Sequence, residues 1–101
     1  MDNIIIITTT FPSKELAEKI VKELTTKKYI ACGQILGPIK SIYHWDNKIQ
    51  EDEEWTCFLK TQAKYYSKIE GFIIKSHPYE IPEIIATSIK YGNKSYLKWI
   101  E

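Results

Sequence analysis

Cys32 is the sharpest chemical candidate in this 101-residue chain. A thiolate is a soft donor that favours Cu(I) and also takes Zn(II) or Hg(II). The competing reading is a small apolar residue in a core, where free cysteine is commonly found. Cys57 alternates with Trp55 and Leu59, so for it the core reading prevails. A second candidate is His77-Pro78-Tyr79-Glu80, which puts an imidazole, a phenol and a carboxylate into four residues stiffened by proline. Such a set could form part of a metal or polar-ligand site, or could satisfy backbone groups at a helix end. Lys60 is the third: inside a cleft it would bind an anion or hold a carboxylate such as Glu80, and at a strand edge it would guard against aggregation. The run Glu51-Asp52-Glu53-Glu54 lacks the spacing and glycine of a calcium loop. Strand alternation sends its neighbouring carboxylates to opposite faces, so it reads as a solvated hairpin stem. His44 lies between Tyr43 and Trp45; the aromatic pair reads as packing between subunits and the histidine is unassigned.

The elements that must position these groups follow from periodicity. Ile4 to Ile7, then three threonines, form an unalternating β-branched run, the pattern of a strand buried on both faces. Ser13 is a good helix N-cap, and Leu16, Ala17, Ile20, Val21 and Leu24 share one face of a helix over 14–27. From Tyr29 the period becomes two. Residues 29–36 and 39–45 read as one long strand bent or bulged at Gly37-Pro38. Asp46-Asn47 signals a type I′ hairpin turn, with a return strand from 48 to about 61. That turn sets Cys57 opposite Leu36, Cys32 opposite Thr61 and Lys60 opposite Gly33, which separates the sulfurs by about 13 Å along the strand. A disulfide needs Cα atoms within about 7 Å, so none is expected within the chain. A second helix over 63–76, a strand over 83–89 and a short helix starting at Gly92-Asn93 complete the order. The class is α+β, a ferredoxin-like βαββαβ arrangement with helices on one sheet face, a long β2–β3 hairpin and an extra C-terminal helix. No linker divides the chain, so a single domain over 1–101 is expected.

The hairpin is too long for a lone domain. Its strands span about 45–55 Å, against a radius of gyration of about 13 Å for a chain this size. It must bend or project, and projecting aromatic strands need another chain to cover them, which predicts a homo-oligomer.

Composition excludes several functions. The chain is 44% hydrophobic and 27% charged with four Gly and four Pro, so it is not a disordered or low-complexity protein. Its formal net charge is +1, and all 14 basic residues are lysine. No strong field attracts nucleic acid or an anionic membrane, and there is no arginine fork for phosphate or guanine. The β-α-β-β-α-β order also suits an RNA-recognition module, but the third strand carries acids where such a module needs a basic-glycine-aromatic signature. P-loop, dinucleotide and zinc-protease motifs are missing, as is a supported Ser-His-Asp set, so no enzyme is expected. Two cysteines are too few for a disulfide framework, and Met1-Asp2-Asn3 precedes an apolar run too short for a signal or membrane segment. A cytoplasmic protein is expected.

Ala31-Cys32, Ser41-Ile42-Tyr43-His44-Trp45, Glu51-Asp52-Glu53-Glu54, Lys60-Thr61, His77-Pro78-Tyr79-Glu80 and Pro82-Glu83-Ile84-Ile85-Ala86 occur in that order, followed by Tyr96-Leu97 and Trp99-Ile100. This ordered set resembles the CutA divalent-cation tolerance family from the first strand to the last helix. The resemblance implies a homotrimer of ferredoxin-like subunits whose hairpins pair across chains, similar in architecture to the PII signalling proteins. It also implies a link to copper and other divalent metals, with no established catalytic reaction. Two departures stand out: Gly33-Gln34 follows Cys32 where the family usually has Val-Asn, and Gly37-Pro38 stands where the family has Pro-Gly. Taken together, the chain reads as a metal-responsive homotrimer. Cys32, His77 and Glu80 are its expected metal ligands, and Lys60, Tyr79 and Glu80 its expected ligand-binding residues, in a cleft near the hairpin base. The alternative is a structural or signalling trimer that binds a small organic ligand or a protein partner.

Overall fold

Four strands and three helices follow one another in the computed structural model, which describes residues 3–101: β1 (Ile4–Phe11), α1 (Lys14–Thr26), β2 (Cys32–Trp45), β3 (Lys48–Gln62), α2 (Tyr66–Ser76), β4 (Ile84–Ser88) and α3 (Lys94–Ile100). All pairings are antiparallel and the sheet order is β2-β3-β1-β4. The isoleucine run therefore sits on an inner strand, as its lack of alternation predicts.

Ser13 caps α1: the Leu16 N–H donates to its hydroxyl at 3.1 Å. Ala17, Ile20, Val21 and Leu24 turn inward onto Ile5, Ile7, Phe11, Cys57 and Leu59, and α2 adds Ile69 and Ile73 to the same core. The helix ends one residue earlier than its pattern suggests, at Thr26. Lys28 takes a left-handed backbone (φ 62°), and the Tyr29 N–H reaches back to the Leu24 carbonyl at 3.1 Å. Residues 29–31 then carry the chain across to the sheet, so β2 begins at Cys32 rather than at Tyr29. Residues 63–65 form a single 3-10 turn ahead of α2 instead of its first α-helical turn.

Two expectations need correction. The helices do not all lie on one face: α1 and α2 cover one side, whereas Leu97 and Ile100 of α3 pack with Ile4, whose side chain alternates to the other side from Ile5. The hairpin register also shifts. From Trp45↔Lys48 to Ile39↔Glu54 it follows the turn, but a bulge between Leu36 and Ile39 adds one residue to β2. Below it Cys32 pairs with Lys60, and Cys57 with Ile35. The cysteines still stand three residues apart along β2, about 10 Å, and on opposite faces; both are free thiols.

Glycine is required at two close approaches on the hairpin. A Cβ on Gly33 would stand 2.5 Å from the Val21 side chain, and one on Gly37 would strike the Trp55 ring.

Cys57 is fully buried among apolar side chains, and burial pushes its thiol up from its ordinary 9.0 to about 12. At neutral pH it is a protonated core residue. The folded state therefore holds this proton between about pH 9 and 12 while the unfolded chain releases it. Stability is intact below about pH 9 and falls above it by up to about 1.4 kcal/mol per pH unit. Denaturant titrations between pH 8 and 11 should show a steeper loss for the native chain than for Cys57→Ala; parallel slopes would rule the linkage out.

Candidate functional site

The side of the sheet away from α1 and α2 carries the polar chemistry, because the odd-numbered residues of β2 above the bulge and the even-numbered residues of β3 project there. Glu54, in the middle of β3, is only 8% exposed. Burying a carboxylate demands hydrogen bonds, and two hydroxyls supply them. Ser41 Oγ donates to Glu54 Oε1 at 2.6 Å, and Tyr79 Oη donates to Oε2 at 2.9 Å. Next to this pair the Tyr43 hydroxyl donates to Asp52. Burial, then the bond to Glu54, then the neighbouring negative charges hold the Tyr79 phenol well above its ordinary range. The Tyr43 phenol is raised chiefly by its bond to Asp52. Both phenols are thus protonated hydrogen-bond donors in this arrangement.

The loop after α2 is pinned beside this cluster. His77 is buried, its Nε2–H donates to the Thr10 carbonyl at 2.7 Å, and its Nδ1 accepts the Tyr79 N–H at 3.1 Å. The ring stacks on Phe11 with centroids 4.8 Å apart. These bonds fix a neutral Nε2–H tautomer and use both nitrogens, so in this arrangement His77 has no lone pair to give a metal. Through these bonds His77 orients Tyr79, which binds Glu54. Above the cluster lies a cleft of about 510 Å³, lined by Trp45, Tyr79, Glu80, Ile81 and Glu83 together with Glu54. Glu80 is exposed there and makes no hydrogen bond among those found for the described residues.

Cys32 and Lys60 occupy a different part of the same face. They are direct cross-strand partners, so their Cβ atoms are about 4.5–5.5 Å apart. Lys60 Nζ donates to the Tyr96 hydroxyl of α3 at 3.1 Å and lies 5.4 Å from the centre of that ring. Cys32 is half-buried and free. Glu54 stands six residues from Lys60 on β3, about 20 Å along the strand. One chain therefore brings Tyr79 and Glu80 together, and Cys32 and Lys60 together, but does not join the two groups. Among the described residues no three His, Cys, Asp or Glu side chains are placed to share a metal ion.

Sequence reasoning missed Glu54, Ser41 and Tyr43 as one network. The signal was present: the Asp46-Asn47 turn pairs Ser41 with Asp52 and Ile39 with Glu54, which puts the hydroxyls and carboxylates on one face. Tyr96 as the partner of Lys60 left no such signal, because α3 reaches the sheet only through tertiary packing.

A four-stranded α+β chain with a long bare hairpin and a hydroxyl-capped carboxylate beside a cleft defines a protein of ferredoxin-like class. The chain belongs to the CutA divalent-cation tolerance family: the family profile for the CutA1 divalent ion tolerance protein matches residues 5–101. The divalent-cation tolerance protein CutA of Pyrococcus horikoshii is 41% identical over 96 residues, covering 95% of this chain and 93% of that protein. Human protein CutA is 36% identical over 91 residues, 90% of this chain; the chain spans about half the length of that relative (51%). The solved structure of the periplasmic divalent cation tolerance protein CutA from Archaeoglobus fulgidus superposes with a TM-score of 0.93 at 37% identity, covering 96% of this chain and 94% of that one. Among the described residues no helix is long and apolar enough to cross a membrane.

Proposed function

We propose that the chain assembles as a PII-like homotrimer and binds copper or another divalent metal between its subunits, acting in cation tolerance without turnover. The observation that carries this reading is the separation of donors within one chain. Cys32 offers a free soft sulfur near the hairpin base, and Glu80 an exposed carboxylate in the cleft beside Glu54, which stands about 20 Å along β3 from Lys60, the partner of Cys32. Only a neighbouring copy can bring such groups together, and family membership makes a divalent cation the natural guest. The hairpin supports assembly: from Gly37 to Glu53 no residue is buried, although Ile42, Trp45 and Ile49 are 62%, 49% and 67% exposed. Cys32 would supply the soft donor and Glu80 of a neighbouring copy the harder one, with Lys60 and Tyr96 holding an anionic group beside them. His77 acts by holding the loop in place rather than as a ligand. Free thiols fit a reducing cytoplasm.

Metal occupancy would order the loop over 77–83 and change the surface a partner meets. Limited proteolysis with a glutamate-specific protease reports on this directly, since Glu80 and Glu83 are exposed targets within that loop. Saturating Cu(I) should slow cleavage after both; unchanged cleavage would remove the mechanism. The cleft of about 510 Å³ supports a second reading, a signalling or structural trimer that takes a small organic ligand on Tyr79 and Glu80.

A further inference from the structure

A second cleft, of about 560 Å³, lies away from the Glu54 cluster, where the end of α1, the turn before α2 and α3 meet. Its size suits a small ligand of mononucleotide dimensions. Three aromatic side chains line it: Tyr29 and Tyr65, stacked with centroids 6.1 Å apart, and Trp99, which packs against Tyr96 yet stays 58% exposed. An exposed indole at a concave wall is a stacking platform for a planar ring.

Lys28 lines the same cleft, and its backbone is the second observation. At φ 62° it holds the left-handed position that follows a helix, where glycine is the unstrained choice. A lysine kept at a strained position points to use of its side chain. Lys64 and Lys68 do not line the cleft but lie over two of its rings, with ammonium groups 5.3 Å and 5.7 Å from the Tyr65 and Tyr29 ring centres. None of these three lysines is ion-paired among the described residues, where Lys40–Glu51 is the ion pair found. The lining also holds the Glu101 carboxylate and the Gln62 amide. A bare anion would be repelled by Glu101, whereas a ligand that joins phosphate to hydroxyl groups would use it as an acceptor.

We infer that this cleft binds a nucleotide: the base stacks on Trp99, the phosphates meet Lys28, and Glu101 accepts from the sugar hydroxyls. Cys32, Glu80 and the Glu54 cluster lie outside this cleft, and Lys28→Gly tests it away from the Tyr96 ring on which Trp99 packs.

Calorimetric titration of the full chain with ADP, and separately with adenosine and with pyrophosphate, tests it. ADP is expected to bind saturably below about 1 mM, and each fragment about tenfold or more weaker. Trp99→Ala should weaken ADP by about tenfold, the size of a lost base–aromatic stack. Lys28→Gly separates function from folding: it relieves the backbone and should raise Tm while weakening ADP about tenfold. Absence of saturable ADP binding, pyrophosphate binding as tightly as ADP, or affinities in both variants within about twofold of the native chain would each overturn the inference.

Discussion

Phe11→Ala is expected to destabilise the protein by about 3–5 kcal/mol, the range for removing a fully buried aromatic side chain. Phe11 is completely buried at the end of β1, pairs with Trp55 across the sheet, and carries the His77 ring on its face. Its removal opens a cavity in the main core and at the same time releases the loop that orients Tyr79 toward Glu54. Denaturant unfolding at fixed protein concentration measures the first effect; holding concentration constant matters because assembly adds to apparent stability. Faster cleavage after Glu80 reports the second. Ile85→Ala, on an exposed edge-strand position, should change stability by less than about 0.5 kcal/mol. A loss below about 1 kcal/mol for Phe11→Ala would mean that the stack is not part of the core.

The second large effect concerns assembly. Ile42→Glu combined with Ile49→Glu should convert the proposed trimer, three times the 11.9 kDa chain mass, to a monomer. Each isoleucine covered by a neighbour contributes about 1.5–3 kcal/mol, and a carboxylate in its place costs more to bury. The subunit fold should survive, since both residues are exposed in the isolated chain and touch neither core cluster. Sedimentation equilibrium with circular dichroism separates the outcomes. A variant that keeps the native mass would show that the hairpin faces are not the interface.

Local signals carried most of the fold. The Ser13 cap, the helical face of α1, the isoleucine run of β1 and the Asp46-Asn47 turn each act within a few residues, so pattern alone locates them. The bulge at Gly37-Pro38 was visible, but its one-residue shift was not, because the register below it depends on how Gly33 meets Val21 and Gly37 meets Trp55. That shift decides that Lys60 faces Cys32. For the site, residue types named the candidates without their wiring. His77 looks like a ligand in sequence because histidine can be one; only the Thr10 carbonyl and the Tyr79 N–H, from distant and adjacent backbone, occupy its nitrogens. Glu54 looked solvated because it belongs to an acidic run, and became the buried centre because Ser41 and Tyr79 converge on it.

Native mass spectrometry of the reduced protein, with and without stoichiometric Cu(I) and beside Cys32→Ser, tests the central claim most directly, since one spectrum reads both assembly and metal. The account predicts a trimer that gains copper, and a Cys32→Ser trimer that gains none. A native trimer that takes up no copper, or a Cys32→Ser protein that takes up as much as the native chain, would contradict metal binding through Cys32; a monomer would contradict the assembly on which the intersubunit site depends.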